Sequence, residues 1–181
     1  YYEANDPGAI ATSFCANAIL DLYKITNDNK LRDVLFSIRK FYLEKLLLIN
    51  DGRHLVFSYH IQDENITYNA TAKVSESLAV ISEYLGIQED IELVKCSIQY
   101  LFEQQNLDGS WHYSSSATGK WVDNFHTGYV LVSLKKMMDV SQSIRHRALL
   151  EKGLDFHIKN HYTATSIPKY YTTSLYPIDT H

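Results

Sequence analysis

Six stretches of this sequence place apolar residues at helical spacing, and the six fall into three pairs that repeat one another. Ser37-Ile38, Ser97-Ile98 and Gly153-Leu154 hold matching places in the second helix of each pair, 60 and then 56 residues apart. Tyr23-Lys24-Ile25, Tyr84-Leu85-Gly86 and Met137-Met138-Asp139 close the first helices. The linkers match too, as Phe57-Ser58-Tyr59, Trp111-His112-Tyr113 and Lys169-Tyr170-Tyr171, and so do the caps Tyr68-Asn69, Asp123-Asn124 and Asp179-Thr180. A fixed period with one helical hairpin per repeat specifies a quasi-linear array in which each hairpin covers its neighbour. The first helices of the pairs are small or apolar and the second are charged along one face. An all-α two-layer arc follows, with parallel inner helices whose N-termini and aromatic linkers share one rim.

In chain order, Asn5-Asp6-Pro7-Gly8 signals a turn and a helix start. Ala11, Phe14, Cys15, Ala18, Ile19, Leu22 and Ile25 form the expected buried stripe of helix one. Helix two is expected to carry Leu31 to Leu46 in register and to end at Asn50-Asp51-Gly52. Leu55 to Tyr59 reads as a short strand or extended loop. Helix three starts near Asn69 and stops at Gly86, and its polar positions, Thr71, Ser75, Ser77 and Ser82, are small. Helix four runs from about Glu89 to Gln105, helix five from Asp123, and helix six from about Ser141 to Asn160. The three hairpins thus span about 9–50, 69–106 and 123–161 of a single domain over 1–181, with a loop-like tail at 162–181. The chain opens at Tyr1 without methionine and stops at His181 beside a cap signal, so a longer protein is expected around it.

Composition narrows the partners. A net charge of −4 gives no electrostatic footprint for nucleic acid or an anionic membrane. No apolar run reaches membrane-spanning length, and no secretory signal is visible, so membrane insertion is not expected and a cytoplasmic location is. Cys15 and Cys96 are expected to be buried free thiols. No His/Cys/Asp/Glu run has metal-ligand spacing, and no cofactor is implied. His54 and His60 stand in linkers with no partner in view. An arc with open ends exposes apolar surface, so self-association through the repeat ends is expected.

Tyr100-Leu101-Phe102, Gln105 and Asp108-Gly109-Ser110-Trp111 resemble the Gln…Gly-x-Trp (QW) repeat of squalene-cyclase-like and prenyltransferase-like α/α toroids. Asp108 to Tyr113 with Trp121-Val122-Asp123-Asn124-Phe125-His126-Thr127-Gly128-Tyr129 resembles, more narrowly, uncharacterised α/α-toroid proteins associated with polysaccharide biosynthesis. The tail from Pro168 to His181 resembles the next repeat of that group. The resemblance implies an (α/α) toroid or a partial arc of one, about half of a six-hairpin ring. It also implies that Gln105 and Trp111 tie a helix end to the following linker. The terpene cyclases' Asp-x-Asp-Asp motif is absent, so an isoprenoid enzyme is the disfavoured alternative.

The function expected is a carbohydrate-active or carbohydrate-binding protein of polysaccharide metabolism, its partner a glycan or sugar-containing small molecule. Asp123 and His126, one helical turn apart, are the acid/base candidates, since a carboxylate can orient an imidazole. Asp123 is also a natural helix N-cap. Tyr59, Trp111, His112, Tyr113, Trp121, Tyr129, Asp179 and His181 are the candidate substrate-binding residues, aromatic faces and polar tips suited to sugar rings. A non-catalytic interaction module is the alternative.

Overall fold

The computed structural model describes residues 7–180, so the expectations for Asn5, Asp6 and His181 lie outside the described residues. The chain folds as an (α/α) arc of helical hairpins. Its helices are α1 (Ala9–Thr26), α2 (Asn29–Phe41), α3 (Tyr68–Leu85), α4 (Gln88–Glu103), α5 (Asn124–Val140) and α6 (Arg147–His161). The inner helix α1 packs on α3 and α3 on α5, while α2, α4 and α6 each back the inner helix before them.

One hydrogen bond recurs at the rim and fixes the repeat register. The first backbone N–H of each inner helix donates to a linker tyrosine carbonyl: Ala9 to Tyr59 (2.9 Å), Tyr68 to Tyr113 (3.3 Å) and Asn124 to Tyr170 (2.8 Å). Thr67-Tyr68 therefore matches Asp123-Asn124, and Tyr170 matches Tyr59 and Tyr113. The linker and cap alignments read from sequence are each one residue late at one copy, a slip that backbone pairing resolves and side-chain similarity does not. Asp179 keeps its match to Asp123, because Tyr113 N–H donates to Trp121 and Tyr170 N–H to Pro177, each two residues before the aspartate.

Helix α3 is buried almost throughout, and its small residues explain how. Thr71 bonds the Phe57 backbone, Ser75 donates to Ser97, Ser77 meets the Tyr42 hydroxyl and Ser82 donates to Asp90. Short hydroxyl side chains let neighbouring helices approach while these four buried hydroxyls keep partners. Gly86 ends α3 at φ 74°, the left-handed conformation a side chain resists.

Helix two is shorter than its apolar pattern. After Phe41 a wide π turn, Tyr42–Leu46, brings the Tyr42 hydroxyl between Ser13 (3.2 Å) and Ser77 (3.1 Å). The chain then runs as β1 (Leu47–Asn50), antiparallel to β2 (Leu55–Phe57). The turn between them is clasped to α4. His54 Nδ1 lies 3.0 Å from Asp51 Oδ2 and Nε2 lies 2.9 Å from Glu103 Oε2, so one partner stands 3 residues away in the same turn and the other 49 residues away on α4. Hydrogen bonds to these two carboxylates raise the His54 pKa, and Asp51 and Glu103 are both held at about 2.

The apolar stripe of α1 does not face the core. Ala9, Ser13, Ala16 and Leu20 are buried against α3, and Cys15, Ala18, Leu22 and Ile25 face outward. Cys15 is accordingly exposed and Cys96 half-buried, both as free thiols. Among the described residues, no helix is long and apolar enough to cross a membrane.

Candidate functional site

The Gln105-to-Trp111 segment is a staple between repeats. Gln105 Nε2 donates to the carbonyls of Gly109 (3.0 Å) and Leu149 (3.1 Å), and Trp111 Nε1 donates to Leu101 O (2.7 Å). The Trp111 ring lies so close to α6 that a Cβ at Gly153 would stand 2.7 Å from it. Trp111 is 2% exposed, which removes it from the substrate-binding set: its surface is spent on packing.

The segment from Trp121 to Tyr129 builds a different feature. Asp123 caps α5, its Oδ1 accepting from His126 N–H (2.8 Å). Its Oδ2 accepts from His126 Nδ1 (2.7 Å) and Trp121 Nε1 (3.0 Å). Burial pushes the Asp123 carboxyl pKa up, but the bonds from His126 and Trp121 outweigh it and hold the group below its ordinary value. The carboxylate is therefore ionised at neutral pH, and His126 Nδ1 must carry the proton that bonds it. Among the described residues, Nε2 of the half-buried imidazole has no hydrogen-bond partner. Asp123 itself is buried with both oxygens engaged, so it cannot meet a ligand directly. The two residues divide: His126 leaves Nε2 open, and Asp123 fixes the ring's tautomer and orientation.

His126 belongs to a continuous line of rings. Phe14 meets Tyr129 (centroids 5.9 Å apart), Tyr129 meets Phe125 (4.6 Å), Phe125 meets His126 (5.2 Å) and His126 meets Tyr113 (4.6 Å). Tyr113 stacks on the exposed Trp121 at 4.6 Å with planes 11° apart. Phe14 on α1 and Tyr129 on α5 meet across the intervening α3, as an arc curved towards this face requires. Under them lies Lys73, the repeat-equivalent position of α3, its ammonium 5.0 Å and 5.9 Å from the two ring centroids. Lys73 pairs with Glu76 at 2.6 Å, and Ser133 donates to the same Glu76 oxygen at 2.6 Å. Asn69, one turn earlier, is buried with Oδ1 unpartnered.

The other expected residues are dispersed. Tyr59 lies at the rim, half-buried beside His60 (5.0 Å). His112 is half-buried and makes no hydrogen bond or ring contact among the described residues. Asp179 is buried, and His181 lies outside the described residues. The charges of Asp123 and Asp179 both act on Tyr170 and on His161, so the two matching carboxylates border one region.

Sequence reading missed Lys73, Glu76, Phe14 and His161. A Lys and Glu at i, i+3 on an otherwise small and apolar helix were the available signal for the first two. His161 gave none, since it simply ends an amphipathic pattern. Its ring is fully buried and neither nitrogen has a partner. Burial, helped by neighbouring His157, lowers its pKa from 6.5 to about 4, against the pull of Asp123 and Asp179. A histidine depressed in the folded state supports stability above the unfolded value and withdraws that support as pH falls through its folded value. His161→Leu is therefore expected to flatten the fall in melting temperature between about pH 6.5 and 4, as checked by thermal unfolding of both proteins across that window. Among the described residues no group of three or more His, Cys, Asp or Glu is placed to hold a metal ion.

No protein-family model matches the chain, and neither does any curated protein sequence. Solved structures do. A glycoside hydrolase of family 105 from Clostridium acetobutylicum superposes with a TM-score of 0.70 at 15% identity, over 84% of this chain and 47% of that one. A polysaccharide lyase gives 0.75 at 14%, over 94% and 53%. A family 88 glycosyl hydrolase from Bacteroides vulgatus gives 0.74 at 10%, over 91% and 52%. The chain spans about half the length of these structures, and at such identities the likeness establishes the fold alone.

Proposed function

We propose that this arc is a carbohydrate-active unit of polysaccharide metabolism, with the ring strip from Phe14 to Trp121 as its sugar platform and His126 as its acid/base. The observation that carries the reading is the Asp123–His126 pair set within that strip. An imidazole with Nδ1–H anchored on a buried carboxylate leaves Nε2 to take or give a proton beside rings on which a sugar can stack. Tyr59, Tyr113, Trp121 and Tyr129 supply faces, and Asp179 supplies a second carboxylate bordering the same rim. Two glycoside hydrolases and a polysaccharide lyase are among the solved structures of similar fold, which favours breakdown over the biosynthetic role that the sequence resemblance implies.

Trp121→Ala and Tyr113→Ala are each expected to weaken oligosaccharide binding roughly tenfold or more, as loss of an aromatic anchor does elsewhere. Calorimetric titration of the wild type and both variants with oligosaccharides from acidic and neutral polysaccharides measures this. Unchanged affinity in both variants would remove the strip from the site.

A further inference from the structure

The turn between β1 and β2 holds a charge arrangement that the ring strip does not use. His54 stands between two carboxylates, with Nδ1 3.0 Å from Asp51 Oδ2 and Nε2 2.9 Å from Glu103 Oε2. A carboxylate oxygen accepts, and a neutral imidazole has one N–H to give. Both bonds therefore exist together only when the ring carries both protons. The other carboxylate oxygens are already engaged. Asp51 Oδ1 accepts the backbone N–H of Arg53 (2.9 Å) and of His54 (2.7 Å), and Glu103 Oε1 accepts from Arg53 and Gln99.

The groups around the ring come from two elements. On its own turn they are Asp51 and Arg53. From α4 they are Glu103, the Tyr100 ring at 5.7 Å and Cys96, whose thiol donates to Gly52 O. Arg53 and the imidazolium balance Asp51 and Glu103, so the doubly protonated cluster is neutral. Loss of one proton leaves a surplus negative charge and turns a nitrogen lone pair towards a carboxylate oxygen at hydrogen-bond distance. The strand beyond the turn is held by groups that do not titrate here. Leu55 O accepts from Ser97, Phe57 bonds the Thr71 hydroxyl through both its N–H and its carbonyl, and Ser58 N–H donates to Leu46 O. The response to a lost proton is thus confined to the turn.

We infer that this turn is a proton-held latch: the imidazolium of His54 pins residues 50–54 to α4, and loss of its proton lets that segment open locally while β2 and α3 stay in place. Hydrogen bonds to Glu103 and Asp51 raise the His54 pKa above 6.5. A group raised in the closed state adds stability that is complete below its open-state value and is lost as pH rises through its closed-state value. Linkage also sets the size: local opening increases about tenfold for each pH unit by which the closed midpoint exceeds the open one. The inference is independent of glycan binding.

The test is an NMR titration of the His54 ring in the wild type, joined to amide hydrogen exchange of residues 51–54 over the same pH range and corrected for the intrinsic pH dependence of exchange. His54 is expected to titrate above 6.5. Protection of 51–54 is expected to fall through that titration, about tenfold per unit of displacement, while the amides of α3 keep theirs. Glu103→Gln should bring the midpoint down towards 6.5 and cancel most of the fall. His54→Gln should abolish it, with circular dichroism confirming that both variants stay helical. A wild-type midpoint at or below 6.5 would overturn the inference, as would protection of 51–54 that stays constant through a raised midpoint. These two outcomes are read from the wild type alone, so they stand whether or not the variants fold.

Discussion

Under the acid/base role proposed for His126, Asp123→Asn is expected to leave the domain folded and to lower glycan turnover roughly 10²–10⁴-fold, the range that a positioned acid or base contributes. Asparagine is as good an N-cap as aspartate, so the bond from His126 N–H to the capping oxygen survives. The second oxygen becomes an amide NH2 facing the His126 Nδ1–H and the Trp121 N–H, two donors that it cannot satisfy. The imidazole must then change tautomer or turn away, and Nε2 no longer has the proton state that Asp123 enforces. The pH profile of turnover should change with it, since the carboxylate bonded to the imidazole is gone. A variant that keeps both its rate and its pH profile would leave Asp123 a helix cap and nothing more.

Trp111→Ala acts on the fold. The ring is 2% exposed, bonds Leu101 O through Nε1 and fills the space above Gly153. Truncating a buried tryptophan costs about 3–5 kcal/mol, and for a domain of this size that lowers the melting temperature by roughly 6–20 °C. The loss should be shared between repeats, because Trp111 and Gln105 together hold α6 to the linker after α4. Thermal unfolding followed by circular dichroism reads it directly. A melting temperature within about 2 °C of wild type would mean that the staple carries little stability.

Much of this architecture is legible from residue spacing alone. Apolar periodicity marks the hairpins, Gly86 marks a stop and Asp123 a cap, because each of those signals is local. What the sequence conceals is set by contacts made across it. The stripe from Cys15 to Ile25 reads as a core face, since periodicity tells that a face is apolar and not whether a neighbour covers it. Tyr42 to Asn50 reads as helix until β2, five residues further on, offers a pairing partner. Asp123 and His126 could be paired from their spacing, but Phe14, Lys73 and Tyr129 stand 59 and then 56 residues apart and meet only once three inner helices lie side by side. Trp111 and Trp121 look alike as linker aromatics, yet one is buried beneath α6 and the other 40% exposed on the ring strip.

That difference makes the two indoles the most direct probes of the proposed site. In a nitrogen-15 proton correlation spectrum of the wild type, the chain's two tryptophans give two indole N–H signals. Titration with an oligosaccharide that the protein binds should shift the Trp121 indole, which bonds Asp123, together with the His126 ring resonances, and leave the buried Trp111 indole in place. Saturable binding that moves neither Trp121 nor His126 would contradict the assignment of the ring strip as the sugar platform.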